Sequence, residues 1–353
     1  MDKFREIRAY HTAGLVYVTD FLFVLPFLHH LVRTKTKGVT LDYLQLPGMT
    51  AKESRKAIEK DIRHGAFYMT NHRDIVLDAA FLGLKIIPRY CQHPYIGIGN
   101  NLFAKWWIEP LCRHLRTFVV KRNGTPRELM QSSLLMSEYI QHIRQKRHKT
   151  IWMAQREGRA KDSNDRTQPS VLKMLTLSAE NNSEILDQIK VLNICPVSLN
   201  YEYDPCDYLK AAEMQLKRDN PHWRKSKRDD VISMKTGIFG YKGRVVFRMT
   251  PSINHWIDAN RQELESLTKN EMLQKIAQQI DQQIFLGYEI YERGTEFDAY
   301  IDSRIALIDI PNKDEAFLRE KLLEMYSFPV KNHAEAVERM KGASEHSDKC
   351  LEK

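Results

Sequence analysis

The chain has 353 residues, 42% of them hydrophobic, enough for a sizeable core in one large or two ordinary domains. Its formal net charge of +9 is spread along the sequence and suits an anionic partner: a phosphate-bearing substrate, a membrane surface or a nucleic acid. Cys91, Cys112, Cys195, Cys206 and Cys350 show no CxxC or Cys/His ligand spacing, which argues against a metal site or a disulfide framework, and no helix-turn-helix, zinc or RNP-type pattern points to nucleic acid.

The start, "MDKFREIRAY", lacks the basic, then apolar, then small-residue order of a signal peptide, so a reducing cytoplasmic setting is expected. Leu15 to Val32 is the most apolar stretch, but Asp20 and Pro26 interrupt it, against a clean bilayer crossing. With Lys3, Arg5 and Arg8 before it and Arg33, Lys35 and Lys37 after it, an interfacial helix and a helix packed in the core are both open. A polar connection is expected from Thr34 to Lys56.

Alternating units follow. "GAFYMT" predicts a buried strand, and the residues after Asp74 a helix capped by that aspartate. "IGIGNNLFAKWWIEPL" (Ile96 to Leu111) links the first two units, and its Leu102, Phe103, Trp106 and Trp107 suit either the core or a bilayer interface. "HLRTFVVKR" predicts a second strand. "TPRE" then places Thr125, Pro126 and Glu128 as a capping box, opening a helix that runs to the basic "RQKRHK". Further strands are expected in "TIWMAQ", "VLNICPVSLNYEY" and "GRVVFRMTP", and a helical tail from about residue 256. The expected fold is α/β, a mostly parallel central sheet flanked by helices, with an N-terminal helical segment (1–60), an α/β domain (61–255) and a C-terminal helical extension (256–353).

In such a sheet chemistry gathers where strands give way to helices. At the first junction, Asn71-His72-Arg73-Asp74, a carboxylate from Asp78 could hold the His72 imidazole in one tautomer and leave its other nitrogen free as a base; the alternative is a capping aspartate beside a surface histidine. Lys121 and Arg122 end the second strand, as phosphate ligands or as a solvated strand end. After the third strand, Arg156, Glu157, Arg159 and Lys161 surround Gly158, a pattern that lets backbone and cations approach a phosphate. The fourth junction carries Tyr201 and Tyr203, for which edge packing is the simpler reading.

Taken together and in this order, the four junctions resemble the glycerolipid acyltransferase family, which includes 1-acyl-glycerol-3-phosphate and glycerol-3-phosphate acyltransferases. The resemblance covers roughly residues 65 to 250. It implies transfer of a fatty acyl group from acyl-CoA or acyl carrier protein, as co-substrate rather than cofactor, to a hydroxyl, in phospholipid biosynthesis at the cytoplasmic face of a membrane. It also implies that His72 is the base and Asp78 its orienting acid, with Asp74 the alternative, and that Arg122, Glu157, Gly158 and Arg159 form the acceptor-phosphate site, to which the loop pattern adds Lys161; no metal is implied. Two departures are plain. The His72 to Asp78 gap is one residue longer than the family pattern, with Leu77 at the usual acid position, and the third motif has Gln155-Arg156 where phenylalanine-proline is usual, with its arginine one residue early. The second departure leaves room for a non-phosphate acceptor such as an N-acyl amino acid, and the first for a catalytically inactive membrane adaptor.

Overall fold

The computed structural model describes residues 3–10, 14–63, 65–103, 106 and 108–351. Its centre is a sheet of seven strands: β1 (Val39–Tyr43), β2 (Phe67–Thr70), β3 (Tyr95–Gly99), β4 (Thr117–Val120), β5 (Ile151–Ala154), β6 (Ile194–Tyr201) and β7 (Val245–Met249), in the order β1-β7-β6-β2-β5-β3-β4. β6, β2, β5, β3 and β4 run parallel, whereas β7 is antiparallel to β6 and carries β1 alongside it. The central strands are apolar on both faces: every residue of β2 and of β6 is buried. That pattern requires helices on both sides.

One face is covered by the helices Leu25–Lys35, Ala51–Arg63 and Leu77–Tyr90, which bring Leu28, Leu31, Ile58, Ile62, Phe81 and Ile86 into a core with Tyr68, Val197 and Phe247. The other is covered by Pro126–Arg147, Pro169–Leu175, Asn182–Leu192 and Lys269–Leu286, around Phe67, Met69 and Ile151. The capping box forms as expected, with the Glu128 N–H donating to Thr125 Oγ1 (3.3 Å) and the Thr125 N–H to Glu128 (2.8 Å). Arg144, which the sequence offers only as a charge suited to the helix end, is buried and ties together the carbonyls of Leu192, Lys149 and Gly65 (3.0, 2.7 and 2.8 Å). A smaller third core joins Ala211 to the C-terminal helices Glu296–Ala306 and Glu315–Leu351 through Ile301, Ile305, Leu318 and Leu322.

Two expectations need correction, while the C-terminal helical extension forms as expected. The connection from Thr34 to Lys56 contains β1 and the start of the Ala51–Arg63 helix, so the first 60 residues contribute to the sheet itself. The Ile96 to Leu111 link contains most of β3, paired with β4 and β5. The C-terminal extension is a brace: Ile276, Ile280 and Ile284 belong to the main core, and Asp281 accepts from the Thr167 N–H (2.7 Å) and hydroxyl (2.6 Å) in the loop after β5.

Burial raises the Asp281 carboxyl to about 6, against the Thr167 hydrogen bonds, which lower it. A carboxyl whose folded value lies above its unfolded one contributes stability that is present below about pH 4 and lost as pH rises through about 6. Asp281→Asn keeps an acceptor for Thr167 and removes the titration. Its melting temperature should therefore gain on that of the native chain between pH 5 and pH 7.5; parallel curves over that window would contradict the assignment.

The apolar N-terminal stretch forms an unbroken helix from Leu15 to Lys35, with a π-helical turn at Asp20–Val24. By length and composition it could cross a membrane, and only 22% of its most apolar window is buried. Asp20 is turned inward, paired with His93 Nε2 at 2.8 Å, and Leu28 and Leu31 are packed against the sheet, so the helix is held along the body of the domain. Phe21, Leu22 and Phe23 face outward, 73%, 55% and 69% exposed.

Candidate active site

β2 ends at Thr70 in the middle of the sheet, between β5 and β6, and the next four residues form the floor of the site. Asn71 anchors it: its amide donates to the Leu199 carbonyl (2.9 Å) and accepts from the Leu199 N–H (2.8 Å), clamping the chain to β6. Arg73 turns inward and pairs with buried Asp165 (2.7 Å), which also accepts from the Tyr288 hydroxyl (2.8 Å). The loop after β2 is thus locked to the loop after β5 and to the C-terminal extension. His72, between these two anchors, points to the partly open side, with its ring edge against Trp152 (centroids 6.1 Å apart).

Asp78 is the partner of His72, with Oδ2 2.8 Å from Nδ1. The same carboxylate accepts from the Arg73 N–H (2.7 Å), the Asp74 N–H (3.0 Å) and the Tyr201 hydroxyl (3.1 Å), and its side chain is 1% exposed. Nδ1 faces a carboxylate oxygen, which accepts, so it is the nitrogen assigned the proton, and in the neutral ring Nε2 keeps its lone pair with no hydrogen-bond partner among the described residues. Burial, then the nearby Asp78 charge, drives the Tyr201 hydroxyl well above its ordinary range, so it remains a donor.

Asp74 does not reach the histidine. Its Oδ1 accepts from the Val76 and Leu77 N–H groups (both 2.8 Å), capping a turn that precedes the regular helix, which starts two residues later than expected, at Leu77. That turn absorbs the extra residue between His72 and Asp78. Burial, and then Asp78, push the Asp74 carboxyl above the usual carboxylate range. The N–H groups following His72, which could otherwise serve a developing oxyanion, are largely spoken for: Arg73 and Asp74 serve Asp78, and Val76 and Leu77 serve Asp74. Among the described residues only the Ile75 N–H of that stretch lacks a partner.

The expected phosphate ligands divide into two groups. Gly158 has φ +69°, a left-handed backbone that favours glycine, and it turns the chain between them. On one side Arg122, held by its N–H donating to Asn100 Oδ1 (2.9 Å), forms an ion pair with Glu157. On the other, Arg159 is buried beside Cys206, Asp204 and Asp74, and Lys161 is paired with Glu213 of the Asp207–Asp219 helix. Burial brings the Lys161 ammonium down to about 8 against its Glu213 partner.

No family model matches this chain, and no curated protein matches it either. The reading of the site therefore rests on its residues. Tyr201 is the member that sequence reasoning missed: its position at the end of a buried strand signals packing, and nothing in the one-dimensional pattern shows that it meets an aspartate 123 residues away.

Among the described residues no group of histidine, cysteine and acidic side chains could hold a metal ion. Trp106, which suits either the core or a bilayer interface by sequence, is 87% exposed; Trp107 lies outside the described residues.

Proposed function

We propose that this protein is an O-acyltransferase, moving a fatty acyl group from a thioester to the hydroxyl of a lipid-type acceptor. The observation that carries this reading is the His72–Asp78 pair, with its buried carboxylate fixed by three further donors and its free Nε2 on the accessible side. The ordered resemblance of the four strand-end motifs to glycerolipid acyltransferases supports the same chemistry.

An acceptor hydroxyl is a weak nucleophile, and histidine is the side chain that exchanges protons near neutral pH. Nε2 of His72 takes the hydroxyl proton as the oxygen bonds to the thioester carbonyl carbon. The imidazolium is stabilised by Asp78. The tetrahedral intermediate collapses, the C–S bond breaks, and the proton passes from Nε2 to the leaving thiolate. No covalent acyl-enzyme is needed.

Glycerol-3-phosphate or a lysophospholipid is the acceptor suggested by Arg122, whose pairing with Glu157 is exposed and therefore weak enough for a phosphate to replace. A non-phosphate acceptor, such as an N-acyl amino acid, is the second reading. It is favoured by the same pairings, since Arg122 and Lys161 are each already matched to a carboxylate. Purified protein in mixed micelles, offered acyl-CoA and acyl carrier protein against each acceptor class, tests both. Turnover with the phosphate-bearing acceptors alone selects the first; no product from any pairing by folded, vesicle-bound protein leaves a catalytically inactive membrane adaptor.

The acceptor and product are lipids, and a peripheral or monotopic seat on the cytoplasmic face of a membrane suits them. The outward face of the Leu15–Lys35 helix supplies the apolar contact. Changing Phe21 and Phe23 together to glutamate should lower partition onto phosphatidylglycerol vesicles by about a hundredfold or more, because each buried phenylalanine contributes about 1.5–3 kcal/mol. Unchanged co-flotation would remove this helix from membrane attachment.

A further inference from the structure

A cavity of about 380 Å³, in the size range of small-molecule sites, opens beyond the end of β6. Four of its walls are tyrosines, Tyr203, Tyr208, Tyr241 and Tyr300, and the charged side chains that line it are Lys37 and Arg304. Tyr203 lies 4.8 Å from Tyr300 and 6.2 Å from Tyr241 between ring centroids, so the wall is a run of aromatic surface. Arg304 is fixed over the Tyr208 ring (4.7 Å), donating to Asp207 (2.6 Å) and the Pro205 carbonyl (2.8 Å); Asp207 is fully buried and does not line the cavity. Lys37 is held by its N–H donating to the Gly243 carbonyl (2.7 Å), and its ammonium is exposed with no partner among the described residues.

Aromatic faces combined with cations, and no carboxylate on the wall, select a flat ligand carrying negative charge. Inorganic phosphate or a lipid headgroup would use the cations and leave the rings idle. A purine nucleotide uses both. The cavity also adjoins the His72 site. Thr236 and Gly240 line it, and between them Gly237 packs so closely on Asp74 that a Cβ there would meet the carboxylate. Tyr203 stands two residues beyond Tyr201, the donor to Asp78.

We propose that this cavity binds the nucleotide end of a coenzyme A thioester, with the purine stacked on Tyr203 and Tyr241 and the phosphates on Lys37 and Arg304. This assignment rests on the acyl-transfer reading for its choice of nucleotide, and it names coenzyme A rather than a carrier protein as the donor.

The test is titration calorimetry of the full chain with adenosine 3′,5′-bisphosphate, which carries the nucleotide and no acyl arm. The native chain should bind it. Tyr241→Ala, at a half-exposed position, should weaken binding about tenfold or more, as loss of one stacking ring does. Lys37→Glu should weaken it comparably, and His72→Ala should leave it unchanged. No binding by the folded native chain, or binding indifferent to both cavity variants, overturns the proposal. So does a Lys37→Glu loss seen only with anionic lipid vesicles, which would make the cavity a headgroup site. Nucleotide binding without any acyl transfer would sink the acyltransferase reading and leave the cavity standing. Acyl transfer from carrier protein without nucleotide binding would do the reverse.

Discussion

His72→Ala is expected to reduce acyl transfer by about 10²–10⁴-fold while leaving the protein folded. The size of the kinetic effect follows from the role: without a base at Nε2, the acceptor hydroxyl must lose its proton to solvent as it attacks. The small structural effect follows from the environment. Asp78 Oδ2 keeps the Arg73 N–H, and Oδ1 keeps Asp74 and Tyr201, so the carboxylate loses one donor of four and the cost is about 1 kcal/mol. Single-turnover transfer and urea denaturation on the same preparation separate the two effects. Native-like turnover by the variant would remove His72 from the chemistry.

Asp78→Ala is expected to affect stability as well as activity. It strips the acceptor from two backbone N–H groups, the Tyr201 hydroxyl and the His72 ring, all at a site almost closed to water. A loss of about 3–5 kcal/mol is expected, on the scale of breaking a buried charged network. Asp78→Asn keeps the volume but turns an N–H toward groups that are themselves donors. It should fold better than the alanine variant and still lose up to about 10⁴-fold in transfer, because the ring then prefers the wrong tautomer. Asp74→Asn makes the contrast, since its carboxylate serves the turn and not the histidine. If Asp74→Asn silenced transfer and Asp78→Asn did not, the assignment of the orienting acid would be reversed.

The sheet's missed strands show where local pattern loses its force. β1 is an edge strand whose side chains alternate in exposure, and its Thr40 and Asp42 give it the look of a connection until β7 pairs with it. β3 carries Gly97 and Gly99, poor strand formers by composition; Gly97 is there because a Cβ would press on the Phe118 ring of β4, at 3.0 Å. Both signals depend on a neighbour far along the chain.

What the sequence determined by itself was the alternation of elements and which polar residues stand at their junctions. Continuous apolar runs such as β2 and β6 have to be covered on both faces, the Thr125–Glu128 box has to open a helix, and His72 and Asp78 stand close enough in the chain to meet at a strand end. Tertiary structure decided which charges meet. It gave His72 to Asp78 and the turn to Asp74, set Tyr201 on Asp78, matched Arg122 to Glu157 and Lys161 to Glu213, and turned Asp20 inward to His93. The reason is physical: hydrophobic periodicity is a property of one element and can be read along it, whereas a buried charge is stable only beside a partner, and that partner is chosen by the packing of elements distant in the chain.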